Sequence, residues 1–227
     1  MSAHRRPPHP NRRCQAGSPR PAAATGRRLI RLTGPLGAAL LALFAPGSFP
    51  RAHEMRSTDD GEGAPTRSIR EYAIPHVRLV RADGKMVSLP EEMNDGRPIV
   101  LNFIFTTCTD ICPLMSSVLE GFERRLGTDA DKVHLMSISI DPEQDTPARL
   151  LAYAKKFHAG PGWQHYTGTR EASITAQRAF DVYRGSKMSH TPVTLIRAAP
   201  GKPWLRIDGF VTPDDLVRDY RSLLARS

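Results

Sequence analysis

Cysteine is scarce in this chain: Cys14, Cys108 and Cys112 are the only three in 227 residues. That excludes a disulfide-dense mini-protein and leaves no second cysteine pair to complete a four-thiolate zinc site. Acidic residues are missing from the first fifty positions, which carry eight arginines (Arg5, Arg6, Arg12, Arg13, Arg20, Arg27, Arg28 and Arg31). The formal net charge of +9 is therefore lodged at one end, and residues 51–227 hold 24 basic against 23 acidic groups. A nearly neutral body gives no electrostatic reason for a nucleic-acid partner. Long apolar runs are missing too. The charge-free stretch Leu32–Phe49 has eighteen residues and is broken by Gly34, Pro35, Pro46 and Gly47. A multi-span membrane protein is excluded, as are collagen and a coiled coil. No internal repeat is present.

What the first 52 residues do contain reads as an address. A basic opening, the apolar segment Leu36–Ala45 and small residues near Ala45–Gly47 match an export signal, with cleavage just after Gly47. An uncleaved anchor, extended through Leu29 and Ile30, is the competing reading. Pro7, Pro8, Pro10, Pro19 and Pro21 break the amphipathic helix of a mitochondrial presequence. Arg27-Arg28 is a twin-arginine pair, but Arg31 interrupts the apolar run expected after it. The expected location is the periplasm or the outer face of the inner membrane, ahead of the mitochondrial intermembrane space. Membrane contact is expected only through that N-terminal anchor.

Residues 53–68 are polar, with Gly, Pro and Ser, and read as a linker; residues 69–227 read as one globular domain. Ala82-Asp83-Gly84 predicts a hairpin turn between His76–Arg81 and Lys85–Leu89. The apolar run Ile99–Phe105 predicts a strand buried on both faces. Pro113–Leu126 has helical spacing, Val133–Ile140 alternates as a strand, and Pro147–Phe157 is a helix capped by Asp145 or Thr146. A further helix is expected over Ala172–Tyr183, strands over Pro192–Arg197 and Trp204–Gly209, and a closing helix over Pro213–Leu224, where Pro213 follows the cap Thr212. Strands alternating with helices, then β-β-α, predict an α/β thioredoxin-like fold. Its central mixed β-sheet is flanked by helices and extended by an N-terminal β-hairpin.

Cys108 and Cys112 lie where the buried strand enters the following helix. Residues four apart on a helical turn are close enough for a disulfide or a two-thiolate metal grip. Free N–H groups and the helix dipole at that end predict lowered thiolate pKa values. A disulfide closing so short a loop would be a poor structural staple. Two thiolates and an imidazole would make a soft set suited to copper. Of eight histidines, His4, His9 and His53 precede the domain, His76 and His134 are expected on strands, and His158 and His165 flank the loop Gly160-Pro161-Gly162. His190 remains, in the loop before the strand at Pro192, where a thioredoxin-like fold faces its active-site helix. Asp141 could tune His190 or bind a partner; capping the Pro142–Thr146 turn is the plain alternative. Met115 and Met188 could offer thioethers, although packing is the usual use of methionine. Tyr183 and Trp204 are expected to pack.

Three stretches now resemble the Sco/SenC family of thioredoxin-like copper chaperones: Asn102-Phe-Ile-Phe-Thr-Thr-Cys108-Thr-Asp-Ile-Cys112-Pro113-Leu-Met115, Ser137-Ile-Ser-Ile-Asp141-Pro-Glu-Gln-Asp145-Thr-Pro147, and His190 before its strand. The match covers roughly residues 72–224. This chain has Thr109 and Ser189 where many members have Pro and Asp. The resemblance implies that Cys108, Cys112 and His190 bind copper, as Cu(I) or Cu(II). It also implies that the two cysteines cycle between dithiol and disulfide. The implied partner is a cuproprotein such as cytochrome c oxidase subunit two, alongside other thiol-disulfide proteins. Three functions stay open: a copper metallochaperone, a thiol-disulfide oxidoreductase reducing a partner's copper-ligand cysteines, and an exported interaction module with a structural disulfide. A peroxidase is weaker, since Thr106 and Thr107 do not by themselves define a peroxide site.

Overall fold

The computed structural model describes residues 63–226. The leader and most of the expected linker, with Cys14, His4, His9 and His53, lie outside the described residues. The strands are β1 (Thr66–Arg70), β2 (Arg78–Arg81), β3 (Met86–Ser88), β4 (Ile99–Ile104), β5 (His134–Ser139), β6 (Trp163–Thr167), β7 (Val193–Arg197) and β8 (Trp204–Asp208). Among the described residues, four α-helices lie between strands, α1 (Leu89–Met93), α2 (Ile111–Leu126), α3 (Pro147–Lys156) and α4 (Arg170–Ala179), and α5 (Pro213–Leu224) follows the last strand. The strands form one mixed sheet in the order β1-β8-β7-β4-β5-β6-β2-β3. Strand β4 runs parallel to β5 and antiparallel to β7. This is the expected helix-flanked mixed sheet, and the hairpin β2–β3 hangs on its edge through β6.

All six residues of β4 are buried, and its side chains alternate between two cores. Val100 and Ile104 join α2, α3 and α5 through Leu119, Phe122, Leu150, Tyr153, Leu216 and Tyr220. Ile99, Leu101 and Phe103 join α1 and α4 through Leu89, Met93 and Ala176, with Phe180 beyond. Helix α5 starts at a complete capping box. Thr212 Oγ1 accepts from the Asp215 N–H, and the Asp215 carboxylate accepts from the Thr212 N–H. Helices α2 and α5 approach so closely that a Cβ on Gly121 would fall 2.7 Å from Pro213 Cγ.

Four expectations need correcting. The linker ends earlier than Ser68, because Thr66–Ser68 belong to β1, which pairs antiparallel with β8. The helix expected to reach Tyr183 stops at Ala179, with Phe180 as its C-cap and Asp181 at φ 53°. His165 is no loop residue: it sits buried in β6, stacked on Trp163 at 5.1 Å. His76 lies in the extended segment before β2 rather than on a strand. Among the described residues no helix is long and apolar enough to cross a membrane.

Candidate metal centre

The chain leaves β4 at Phe105 and reaches α2 at Ile111, so Thr106–Asp110 form the turn that carries Cys108. Its start is pinned by Asp145. That buried carboxylate accepts from the Thr106 N–H at 3.1 Å, from Thr106 Oγ1 at 2.6 Å and from Ser139 Oγ at 2.6 Å. Asp145 was an expected cap for α3, but Thr146 performs that task by accepting from the Arg149 N–H. Two adjacent residues cannot both cap one helix, and this was the available signal that one of them had another use. Ser116 Oγ and Tyr153 Oη, 2.8 Å apart, tie α2 to α3 in the buried interior. No signal in the sequence marks Tyr153.

Both thiols are free, and they are not equivalent: Cys108 is partly exposed and Cys112 is buried. Asp110 is the N-cap of α2 but makes no side-chain cap bond. Instead the Cys112 N–H points to Cys108 Sγ at 3.4 Å, so the sulfur satisfies one of the free donors of the first turn. The two cysteines meet as expected. Their expected acidity does not hold for Cys112: burial pushes its thiol up, a hydrogen bond from the Phe105 backbone opposes this, and the charges of Cys108 and Asp145 add to the rise.

His190 caps the 3-10 turn Lys187–Ser189, just before β7, and is 6% exposed. Its Nε2 is buried without a partner, while the Phe103 backbone hydrogen-bonds the ring. Burial moves its pKa down, so the imidazole is neutral near pH 7. A neutral ring anchored through one nitrogen, with the other vacant, is the usual state of a metal-ligating histidine. Yet among the described residues no three His, Cys, Asp or Glu side chains stand close enough together to hold a metal ion. The cysteine pair is assembled, and His190 is not yet brought onto it.

Asp141 reaches the His190 turn through Lys187. Its carboxylate takes Lys187 Nζ at 2.5 Å, and its backbone carbonyl accepts from the Gln144 and Asp145 N–H groups, holding the turn into α3. Lys187 also lies 5.5 Å over the Phe105 ring. The His190 turn is thus fastened to the ends of β4 and β5, beside the start of the cysteine turn. Met115 is buried in α2, whereas Met188 is 78% exposed. Trp204 is buried as expected, and Tyr183 lines a cleft with Arg170, Arg184 and Asp141.

The chain is similar to known proteins over most of the described residues. A family model described as SCO1/SenC matches residues 68–225. The SCO1 protein homolog of Bacillus subtilis (strain 168) is 32% identical over 104 residues, 45% of this chain and 53% of that protein. The chain therefore spans about half the length of that curated relative. Among solved structures, Bradyrhizobium japonicum ScoI with copper bound superposes with a TM-score of 0.57 at 26% identity, covering 66% of this chain and 99% of that one. BsSco, described as a member of the Sco family of cytochrome c oxidase assembly proteins with a disulfide switch, gives 0.56 at 25% identity, covering 70% and 98%.

Proposed function

The chain belongs to the SCO1/SenC family, and from that membership we propose that it is an exported copper-binding metallochaperone. Its cargo is held by the thiolates of Cys108 and Cys112 and by Nε2 of His190, and is passed to a cuproprotein such as cytochrome c oxidase subunit two. The observation that carries this reading is the buried, unpartnered Nε2 of His190. Leaving a buried polar atom unsatisfied costs about 1–3 kcal/mol, so a retained one calls for a use. Soft thiolates with an imidazole favour copper. Loading requires the partly exposed Cys108 turn and the His190 turn to close on each other. The test is Cu(I) and Cu(II) binding by the reduced protein. Wild type should bind one copper, and His190→Ala should weaken it by about 100-fold or more. One-to-one binding of undiminished strength in His190→Ala would refute the three-ligand set.

A second reading, thiol-disulfide exchange with a partner's cysteines, is favoured by the unequal thiols. Cys108 is reachable, so its thiolate attacks the partner disulfide and forms a mixed disulfide with one partner sulfur. Cys112 then loses its proton and attacks Cys108 Sγ, releasing the partner's second thiolate and closing the Cys108–Cys112 disulfide. Two electrons pass to the partner. This route has no use for His190. Full oxidase assembly in cells carrying His190→Ala, with loss in either Cys→Ser variant, would select it over metal delivery.

A further inference from the structure

Cys112 is wholly buried and His190 is 6% exposed, so neither can be the first atom to meet a copper complex arriving from solvent. Ligand exchange at a bound metal needs an incoming donor before an old one leaves, and entry therefore needs an exposed soft atom. Among the described residues, Met188 is the most exposed large apolar side chain, at 78%. A single exposed apolar residue is ordinary by itself. Met188 differs in its place and its chemistry. It is the middle residue of the turn Lys187–Ser189 that delivers His190. The backbone of that turn is fastened: the Met188 N–H donates to Ser186 Oγ at 3.2 Å, the His190 N–H donates to the Lys187 carbonyl, and Lys187 Nζ is held by Asp141. The thioether alone stands free above it. Thioether sulfur is a soft donor suited to Cu(I), and it carries no proton to displace.

Resting on the copper reading above, we propose that Met188 Sδ is the entry ligand for Cu(I). The incoming ion forms a bond to Met188 Sδ as one bond to its carrier breaks. Cys108, the other reachable sulfur, gives up its thiol proton to solvent, and its thiolate replaces a second carrier ligand. The ion then passes inward: Cys112 gives up its thiol proton to solvent and displaces the thioether, and His190 Nε2 completes the set. Copper stays Cu(I) throughout, and no electron is transferred. Release to the recipient runs the same steps backwards, so Met188 governs the speed of both directions.

The experiment is stopped-flow uptake of Cu(I) from a coloured Cu(I) chelate by the reduced full-length protein. It is paired with NMR of 13C-methyl-labelled methionine. Met188→Leu keeps the apolar surface and removes the sulfur. It should slow uptake and release alike by about tenfold, while Met86→Leu, an exposed methionine on β3, should leave both at the wild-type rate. In a Cys112→Ser variant, Cu(I) should shift the Met188 methyl resonance and not that of Met86. Wild-type rates in Met188→Leu would overturn the proposal and leave Met188 as an apolar contact. Slowed rates without a shifted Met188 methyl would overturn it too. Failure of the wild-type protein to bind Cu(I) would instead overturn the copper reading on which it rests.

Discussion

Asp145→Asn tests the anchoring of the cysteine turn. The native carboxylate takes three donors, the Thr106 N–H, Thr106 Oγ1 and Ser139 Oγ, at 2.6–3.1 Å. Bonds to a charged acceptor contribute about 1.5–3 kcal/mol each, against about 1 kcal/mol for neutral ones. The amide retains one accepting oxygen for Thr106. Its NH2 then faces the Ser139 hydroxyl, which already accepts from the Asp141 N–H and loses the acceptor for its own proton. Weakening two bonds and stranding one hydroxyl costs roughly 3–4 kcal/mol. Removing a buried charge returns part of this, so the expected net loss is about 2 kcal/mol. In a domain of this size that lowers Tm by about 4–8 °C. Urea unfolding of the reduced protein at pH 7, with calorimetry alongside, reads it directly. The same change removes a negative charge that helps push the Cys112 thiol up, so alkylation of Cys112 should begin at lower pH than in wild type. Stability equal to or above wild type, within about 0.5 kcal/mol, would refute the view that Asp145 holds this turn.

Two further outcomes follow from burial and close packing. Burial lowers the His165 pKa from 6.5 to about 4, so the unfolded chain binds the extra proton first as pH falls. Stability should therefore drop by about 3 kcal/mol between pH 6.5 and pH 4; His165 Nε2 has no partner to lose, and in His165→Phe that part of the slope should vanish from urea titrations. An unchanged slope would show that His165 is not the group responsible. Gly121→Ala would gain about 1 kcal/mol in helix propensity. It would also drive a methyl to 2.7 Å from Pro213 Cγ, at about 1–3 kcal/mol or more. A net loss in unfolding free energy is expected, and a gain would mean that α5 shifts freely on α2.

Elements that announce themselves locally were legible in the sequence. The closing helix Pro213–Leu224 was placed to the residue because Pro213 directly after Thr212 is a strong start signal, which Asp215 completes as a capping box in the structure. The buried run of β4 differed from expectation by one residue. Strand β1 was hidden because Thr66-Arg-Ser-Ile-Arg70 is polar and has no buried side chain. It is a strand only through its ladder with β8 and the Arg67–Asp219 contact at 2.8 Å, both of which bring together residues far apart in sequence. His165 was misplaced for a related reason. Gly160-Pro161-Gly162 correctly marks a loop, but the polar His165 beyond it gave no hint that Trp163 and Tyr153 enclose it.

At the site, the position of the cysteine pair was legible and its acidity was not. Spacing placed both cysteines at the strand-to-helix entry, and topology singled out His190. From the same spacing a lowered Cys112 pKa seemed to follow, because a helix N-terminus favours anions. The magnitudes decide against it. A helix dipole is worth about 0.3–1 kcal/mol, less than one pKa unit. Full burial moves a thiol by up to about 3–5 units in the other direction. Cys112 is buried in one core cluster with Phe105 and Tyr153, and the negative charge of Asp145 adds to the rise, so the larger effect wins. None of those three neighbours is adjacent to Cys112 in the chain. A motif can thus fix where two sulfurs stand, while the fold decides which of them is exposed and which is held as a buried, protonated thiol.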